Sequence, residues 1–267
     1  MNVMKLFSLE KKVALVTGGR GLYGSAISEG LCEAGARVVI ASRNGAKCEE
    51  YAETLRRKGH EACGMALDLA DDRSIERLVE EIVDRFGQID ILVNNAVDRS
   101  NMVSLAEATR EKLQDSVSVN LNGQILLSQK CLEHFVRQKK GNIVNISSMR
   151  GLDCPHFPFY PPEYGDQPVN YTTEKWAMVG LTKYMAGRYG KHGIRVNCIC
   201  PGGYNGDQPA ARVAEEAPFT KAYKANCPLG DWAHYDDIKG PVVFLASEAS
   251  AYVTGATLVM DGGWTIW

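Results

Sequence analysis

Val13-Ala14-Leu15-Val16 is a short, apolar, β-branched run without helical period, which suits a strand buried on both faces of a parallel sheet. It leads directly into Thr17-Gly18-Gly19-Arg20-Gly21-Leu22-Tyr23-Gly24, and residues 25–34 then read as helix. A second apolar run, Arg37-Val38-Val39-Ile40-Ala41, completes a βαβ unit. Inside the turn lies G-x-G-x-x-G, formed by Gly19, Gly21 and Gly24. Glycines let the backbone turn sharply and approach a pyrophosphate, and the helix start beyond them offers free N–H groups and a positive dipole end. A ligand-free glycine turn is the plainer reading, but strand, glycines and helix arrive here in the order a dinucleotide site needs. Gly18, Gly19, Arg20, Gly21, Leu22, Tyr23 and Gly24 are therefore candidate cofactor contacts.

The residues after the second strand bear on which cofactor. A fold of this kind that prefers NAD usually places an acidic side chain there to hold the ribose 2′-hydroxyl. This chain has Ser42-Arg43-Asn44 instead. A carboxylate repels a 2′-phosphate, whereas a guanidinium binds it bidentately. Arg20 is a second candidate for that phosphate. The expectation is NADP(H), with NAD(H) left open; both arginines as plain solvated loop residues is the alternative.

Tyr171 and Lys175 stand four residues apart in Tyr171-Thr172-Thr173-Glu174-Lys175, a stretch that reads as helix, so they share a face. A phenol with an ordinary pKa of ~10 is a poor acid–base catalyst at neutrality. An ammonium ~4 Å away stabilises the phenolate by ~4 kcal/mol at an effective dielectric of ~20. Such a pair supplies a proton donor and acceptor near neutral pH. Taken alone, the spacing is most often a solvated helix face.

Taken together with what surrounds them, these residues resemble the short-chain dehydrogenase/reductase family, from about Leu6 to the C-terminus. Asp68-Leu69 follows the third strand, where the family contacts adenine. Asn94-Asn95-Ala96 follows the fourth strand, 89–93, and Asn120 lies in the helix beyond. Ser147-Ser148 follows Ile143-Val144-Asn145-Ile146. Arg195-Val196-Asn197 to Pro201-Gly202 closes the sixth strand and Asp261-Gly262-Gly263 the seventh. The resemblance implies an α/β fold, a single-domain Rossmann-like doubly wound parallel sheet of about seven strands. It implies that Ser148, Tyr171, Lys175 and Asn120 are catalytic. Ser148 would orient the reacting oxygen, Tyr171 would move its proton, Lys175 would hold the nicotinamide ribose, and Asn120 would carry a water linking Lys175 to solvent. A buried Asn120 bonded to backbone is the alternative for that residue. Asp68, Leu69, Asn95, Ala96, Tyr171, Lys175, Pro201 and Gly202 join the cofactor set.

The chain also departs from the family. Leu22 replaces the middle glycine of the loop, and Val97 replaces the glycine that usually follows Asn-Asn-Ala. Ser148 and Tyr171 are twenty-three residues apart, far more than the family usually has. The added segment, near 152–169, holds Pro155, Pro158, Pro161 and Pro162, which stiffen it. Both its ends are catalytic, so it is expected at the mouth of the site and expected to set substrate choice. His156 would donate to a substrate carboxylate or hydroxyl and Phe157 or Phe159 would cover a sugar ring. Packing of this segment against other parts of the chain or a neighbouring subunit is the alternative. Neither tyrosine of this segment competes with Tyr171: Tyr160 has Tyr164 four residues on, Tyr164 has Pro168, and only Tyr171 has the lysine. The irregular stretch 203–231 is expected to be a substrate lid, with Tyr204 a substrate contact.

Within the family, the opening Lys5-Leu6-Phe7-Ser8-Leu9, the segment Ala41 to Asn44 and the ending look most like sugar-acid and polyol dehydrogenases such as gluconate 5-dehydrogenase. The implied activity is oxidoreduction of a secondary alcohol and a ketone on a polyhydroxylated small molecule. A reductase of a bulkier apolar ketone or acyl thioester is the alternative, and a non-catalytic nicotinamide-binding redox sensor a third reading.

Length and composition fit these expectations. A chain of 267 residues, 45% hydrophobic, can bury one large core, and it shows neither repeats nor a low-complexity linker. Helices are expected at 44–58, 71–86, 110–138, 171–192 and 235–247. A net charge of −2 with interspersed signs points away from nucleic acid and anionic membranes. No apolar h-region opens the chain and no run approaches a membrane span, which predicts a cytoplasmic protein. The eight cysteines read mostly as small buried hydrophobes and no metal site is expected, with Cys154, in the added segment, the one thiol set apart. A homo-oligomer, a tetramer or else a dimer, is expected, because 110–138 and 171–192 match helices that pair between subunits in the family. The apolar tail Trp264-Thr265-Ile266-Trp267 points the same way.

Overall fold

The computed structural model describes residues 2–160, 166–207, 214–215 and 217–267. Pro161, Pro162, Glu163 and Tyr164 of the added segment, and 208–213 with 216 of the expected lid, lie outside the described residues.

Seven parallel strands form one sheet in the order β3-β2-β1-β4-β5-β6-β7. They are β1 (Val13–Thr17), β2 (Arg37–Ser42), β3 (Ala62–Ala66), β4 (Ile91–Asn94), β5 (Gly141–Ile146), β6 (Ile194–Pro201) and β7 (Thr257–Met260). Every residue of β1, β4 and β5 is buried, as strands covered on both faces require, the polar Thr17, Asn94, Asn142 and Asn145 included. Helices Leu22–Glu33, Gly45–Arg57 and Lys239–Ala246 close one face over Val16, Ile40 and Val144. Helices Asp72–Phe86, Gln124–Gln138 and Val169–Tyr189 close the other over Leu15, Leu92 and Ile143. The order reverses beside β1, which leaves a crevice between the carboxyl ends of β1 and β4, the place where doubly wound sheets bind ligands.

Several boundaries differ from the sequence expectation. A short helix, Val3–Leu6, precedes the sheet, and the helix after the glycine turn begins at Leu22, three residues early, so Leu22-Tyr23-Gly24 is its first turn and not loop. The expected helix 110–138 is Arg110–Val117, a π turn Ser118–Gly123, and Gln124–Gln138. The expected 235–247 helix opens with a 3₁₀ turn, Tyr235–Ile238. Residues 203–231 include the helix Pro218–Asn226. A third apolar cluster sits apart from the two faces and gathers Phe159, Phe219, Tyr223, Cys227, Trp232 and Trp264. No helix among the described residues is long and apolar enough to cross a membrane.

Candidate active site

Thr17, at the end of β1, ties the glycine turn to the loop after β4. Its hydroxyl donates to the Val93 carbonyl (3.3 Å) and accepts the amides of Asn95 and Ala96 (3.0 Å each). The Asn95 side chain returns the link, donating to the carbonyls of Thr17 (2.9 Å) and Gly18 (3.2 Å). Gly18 has φ +63°, and a Cβ at Gly24 would stand 2.0 Å from the Gly18 carbonyl oxygen, so both positions need glycine. The helix starts at the Gly21 cap with no side chain bonded to its first amides. That leaves N–H groups and the positive dipole end for an anion, the condition a pyrophosphate needs. Arg20 and Gly21 are exposed there and Leu22 is 40% exposed.

Ser42 is half-buried with its hydroxyl 2.9 Å from the Cys48 sulfur, and Asn44 caps the next helix by accepting from the Lys47 amide (3.0 Å). The Arg43 side chain is 70% exposed and reaches Asp98 at 3.4 Å. The Ser100 hydroxyl and amide, with Arg43 nearby, hold the Asp98 carboxyl below the usual carboxylate range. Asp68 accepts from the Ala70 amide (2.9 Å), and Leu69 is buried. At the other end of the crevice β6 closes at Pro201, and the Gly202 carbonyl accepts from the Tyr23 hydroxyl (3.3 Å).

The turn after β5 rests directly on the helix Val169–Tyr189. Ser148 is buried, and its hydroxyl accepts from the Arg150 amide at 3.1 Å. The Ser147 hydroxyl donates to the Lys175 carbonyl (2.7 Å), and a Cβ on Gly151 would stand 2.7 Å from that same oxygen. Lys175 is 6% exposed, and its ammonium donates to the Ile146 carbonyl (3.0 Å) while lying 5.6 Å from the centre of the Tyr171 ring. The helical repeat thus puts Tyr171 and Lys175 on one face, and the end of β5 fixes the lysine from below.

Asn120 sits inside the π turn with its side chain fully engaged. Its Oδ1 accepts from the Asp98 amide (2.7 Å), and its Nδ2 lies within bonding distance of the Asp98 carbonyl (2.9 Å), Ser116 Oγ (3.2 Å) and Glu174 Oε2 (2.9 Å). Its carbonyl accepts from Gln124 Nε2 (3.0 Å). Sequence reasoning passed over Glu174, which looks like a spacer within Tyr171-Thr172-Thr173-Glu174-Lys175. It is 4% exposed and accepts from the Ser116 hydroxyl at 2.6 Å. Ser116 in turn accepts from Asn170 (2.9 Å), whose Oδ1 receives the Val103 amide (3.1 Å). Residues flanking Tyr171 and Lys175 are therefore clamped to the π turn.

Burial pushes the Glu174 carboxyl up, against the opposing pull of its hydrogen bonds to Ser116 and Asn120 and of Lys175. A carboxyl with a raised folded-state pKa binds protons more tightly when folded. Its stabilising contribution is full below the unfolded pKa and is lost as pH rises through the folded one. Glutamine keeps the size of the side chain and removes the charge that burial disfavours. Glu174→Gln is expected to raise the melting temperature at pH 8 by about 2–4 °C, the change that ~1 kcal/mol produces in a chain of this size. The gain should shrink as pH falls toward the ordinary carboxylate range. Melting curves at several pH values check this; a gain that grows on acidification reverses the assignment.

On the substrate side the expected residues separate. His156 and Phe157 are exposed, whereas Phe159 is buried in the aromatic cluster, 5.0 Å from Trp264 and 5.3 Å from Phe219. Tyr223 is stacked between Trp232 (3.6 Å) and Trp264 (4.7 Å), and its hydroxyl accepts from the Gly203 amide (2.9 Å). Tyr204 is half-buried, its ring 5.1 Å from that of Tyr23. The added segment and the helix Pro218–Asn226 thus share one core, and Phe159 is used there as packing. Among the described residues no group of three or more His, Cys, Asp or Glu side chains is arranged to hold a metal ion.

Comparison with known proteins agrees with this architecture. Residues 20–265 match the model of the family described as enoyl-(acyl carrier protein) reductase. The 2-dehydro-3-deoxy-D-gluconate 5-dehydrogenase of Dickeya dadantii is 33% identical over 265 residues, covering 98% of both chains. The 3-oxoacyl-(acyl-carrier-protein) reductase of Aquifex aeolicus is 34% identical, covering 96% of this chain and 98% of its own. A crystal structure of a gluconate 5-dehydrogenase from Burkholderia cenocepacia, in complex with NADP and tartrate, superimposes with a TM-score of 0.88 at 31% identity over the full length of both chains.

Proposed function

The chain belongs to the short-chain dehydrogenase/reductase family, and from that premise we propose that it is an NADP(H)-dependent oxidoreductase interconverting a secondary alcohol and a ketone on a sugar acid or another polyhydroxylated small molecule. The observation that carries this reading is the Ser148 turn seated on the helix that bears Tyr171 and Lys175, beside a glycine turn with an uncapped helix start. Gly18 to Gly24 would cradle the pyrophosphate, Arg43 and Arg20 the 2′-phosphate, and Asp68 and Leu69 the adenine. Ser42, Asn44, Asn95, Ala96, Pro201 and Gly202 would line the rest of the crevice. The nicotinamide, when bound, supplies the hydride donor or acceptor.

The chain's own groups supply geometry and the proton. Ser148 donates to the substrate oxygen and places it, an electrostatic contribution aimed at charge that develops in the transition state. Tyr171 gives its proton to that oxygen on reduction or takes it on oxidation. Lys175, fixed by Ile146, holds the nicotinamide ribose. The Asn120 side chain is committed to protein partners, so a water on the path from Lys175 to solvent would rest on the main-chain carbonyl of the π turn.

The relatives named above include sugar-acid dehydrogenases and an acyl-carrier-protein reductase. A panel of hexonates, polyols, apolar ketones and acyl thioesters, assayed with both cofactors, separates the readings. Turnover of a hexonate or polyol with NADP+ is expected; turnover restricted to apolar ketones or thioesters overturns the substrate class, and none with any compound favours the redox sensor.

The same reading extends to assembly and place. The chain forms one domain, with the 152–169 segment and 203–231 covering the substrate, and works in the cytoplasm. It assembles as a tetramer or a dimer, because Trp176 and Tyr184 on the helix Val169–Tyr189, and Ile266 and Trp267 at the terminus, are half or more exposed on a single chain. Light scattering at micromolar concentration is expected to give the mass of four chains or of two; a single-chain mass refutes the assembly.

A further inference from the structure

Arg150 stands two residues beyond Ser148 and is 6% exposed, so it is as buried as the catalytic lysine. Its Nη1 donates to the Cys154 carbonyl (3.2 Å) and its Nη2 to the Tyr160 hydroxyl (2.6 Å), and the guanidinium lies 5.9 Å from the centre of the Tyr160 ring. Both acceptors are neutral, and among the described residues no carboxylate pairs with it. A guanidinium stays ionised at any pH a protein meets and offers five N–H donors, of which two are used here. A buried cation without a counter-ion is costly, and natural proteins keep one where an anion completes it. Pinning the added segment by a carbonyl and a phenol does not require a charge.

The location says which anion. The guanidinium lies between the Ser148 turn and Tyr160, whose ring is 6.0 Å from Phe219 on the helix Pro218–Asn226. The turn after β5, the added segment and, through Tyr160, the helix Pro218–Asn226 thus meet at this guanidinium's partner, two residues from Ser148. We propose that Arg150 is the carboxylate subsite of this enzyme: its remaining N–H donors take the carboxylate of a polyhydroxy acid whose carbinol is presented to Ser148 and Tyr171. This rests on the alcohol–ketone reading above and narrows it, from polyhydroxylated molecules to acids.

The test compares gluconate with the hexitol that carries CH₂OH in place of its carboxylate, using the wild type, Arg150→Gln and Arg150→Lys. It adds calorimetric titration of tartrate into each protein loaded with NADP+. The wild type should prefer the acid. Arg150→Gln should reduce the acid-to-hexitol ratio of kcat/KM by about 10- to 100-fold, chiefly through KM for the acid, and weaken tartrate by a similar factor. Arg150→Lys, which keeps the charge but offers no fork, should fall between. A variant that loses both substrates in equal proportion, or binds tartrate as the wild type does, makes Arg150 a pin for the added segment and overturns the subsite. If Arg150→Gln melts below assay temperature, the ratio for Arg150→Lys decides by the same criterion. Arg150-dependent tartrate binding without turnover of either sugar keeps the subsite and removes the sugar-acid reading. Turnover of both sugars with an unaltered ratio does the reverse.

Discussion

Tyr171→Phe is expected to lose turnover by about 10²–10⁴-fold, the span that general acid–base groups contribute, while NADP(H) binds as before. The substitution removes one oxygen and leaves the ring, the helix Val169–Tyr189 and the Lys175 anchor on Ile146 in place. Nothing in the glycine turn depends on the phenol, since its contacts run through Thr17, Asn95 and Gly24. The loss should therefore appear in kcat, with cofactor affinity from fluorescence titration within about twofold of the wild type. A redox sensor that binds nicotinamide without turnover would be indifferent to the change. A variant that keeps most of its kcat would move the proton to another group, and Tyr164 is the first to examine.

Much of the framework was legible from local pattern. Val13 to Gly24 announces strand, turn and helix because each depends on its own neighbours: β-branching, glycine and the free amides of a helix start. The unbroken apolar run Val13-Ala14-Leu15-Val16 pointed to a sheet covered on both faces, and Tyr171 and Lys175 share a face by helical repeat alone. What escaped depends on distant partners. Residues 110–138 carry no sign of the π turn at Ser118–Gly123, where Asn120 is held by Asp98 from another loop and by Glu174 from another helix. Glu174 looked like a solvated spacer for the same reason, because its buried partners Ser116 and Asn120 lie more than fifty residues away. The one available signal was an acid immediately before a lysine expected to be catalytic. Phe157 or Phe159 was expected over a sugar ring, but Phe219 and Trp264, the aromatic residues that bury Phe159, come far later in the chain. Arg150 drew no attention within Ser148-Met149-Arg150-Gly151, since a charge in a turn is ordinarily solvated.

Cofactor choice gives the other large expected effect: Ser42→Asp combined with Arg43→Ala should reverse a preference for NADP(H) into one for NAD(H). Arg43 is mostly exposed and spans to Asp98 at 3.4 Å. Exposed pairs of that kind contribute ~0–1 kcal/mol. A charge-assisted bond from a guanidinium to a phosphate contributes ~1.5–3 kcal/mol, and more when bidentate. The 2′-phosphate therefore outcompetes Asp98 for the arginine, and the ion pair does not block NADP(H). Removing Arg43 takes away the phosphate's donor and leaves Asp98, held below the usual carboxylate range chiefly by the Ser100 hydroxyl and amide, with no cation between it and the phosphate. An aspartate at position 42 then accepts from a ribose 2′-hydroxyl and repels a phosphate, the arrangement that NAD-specific sheets of this topology use. NADP(H) affinity should fall by about 10- to 100-fold, with NAD(H) gaining through the new carboxylate. Because the discrimination is electrostatic at an exposed site, the wild-type preference should also narrow between 0.05 M and 0.5 M salt. Calorimetry decides it, starting with the unmodified protein: equal or tighter binding of NAD(H) there would show that Arg43 does not select the cofactor.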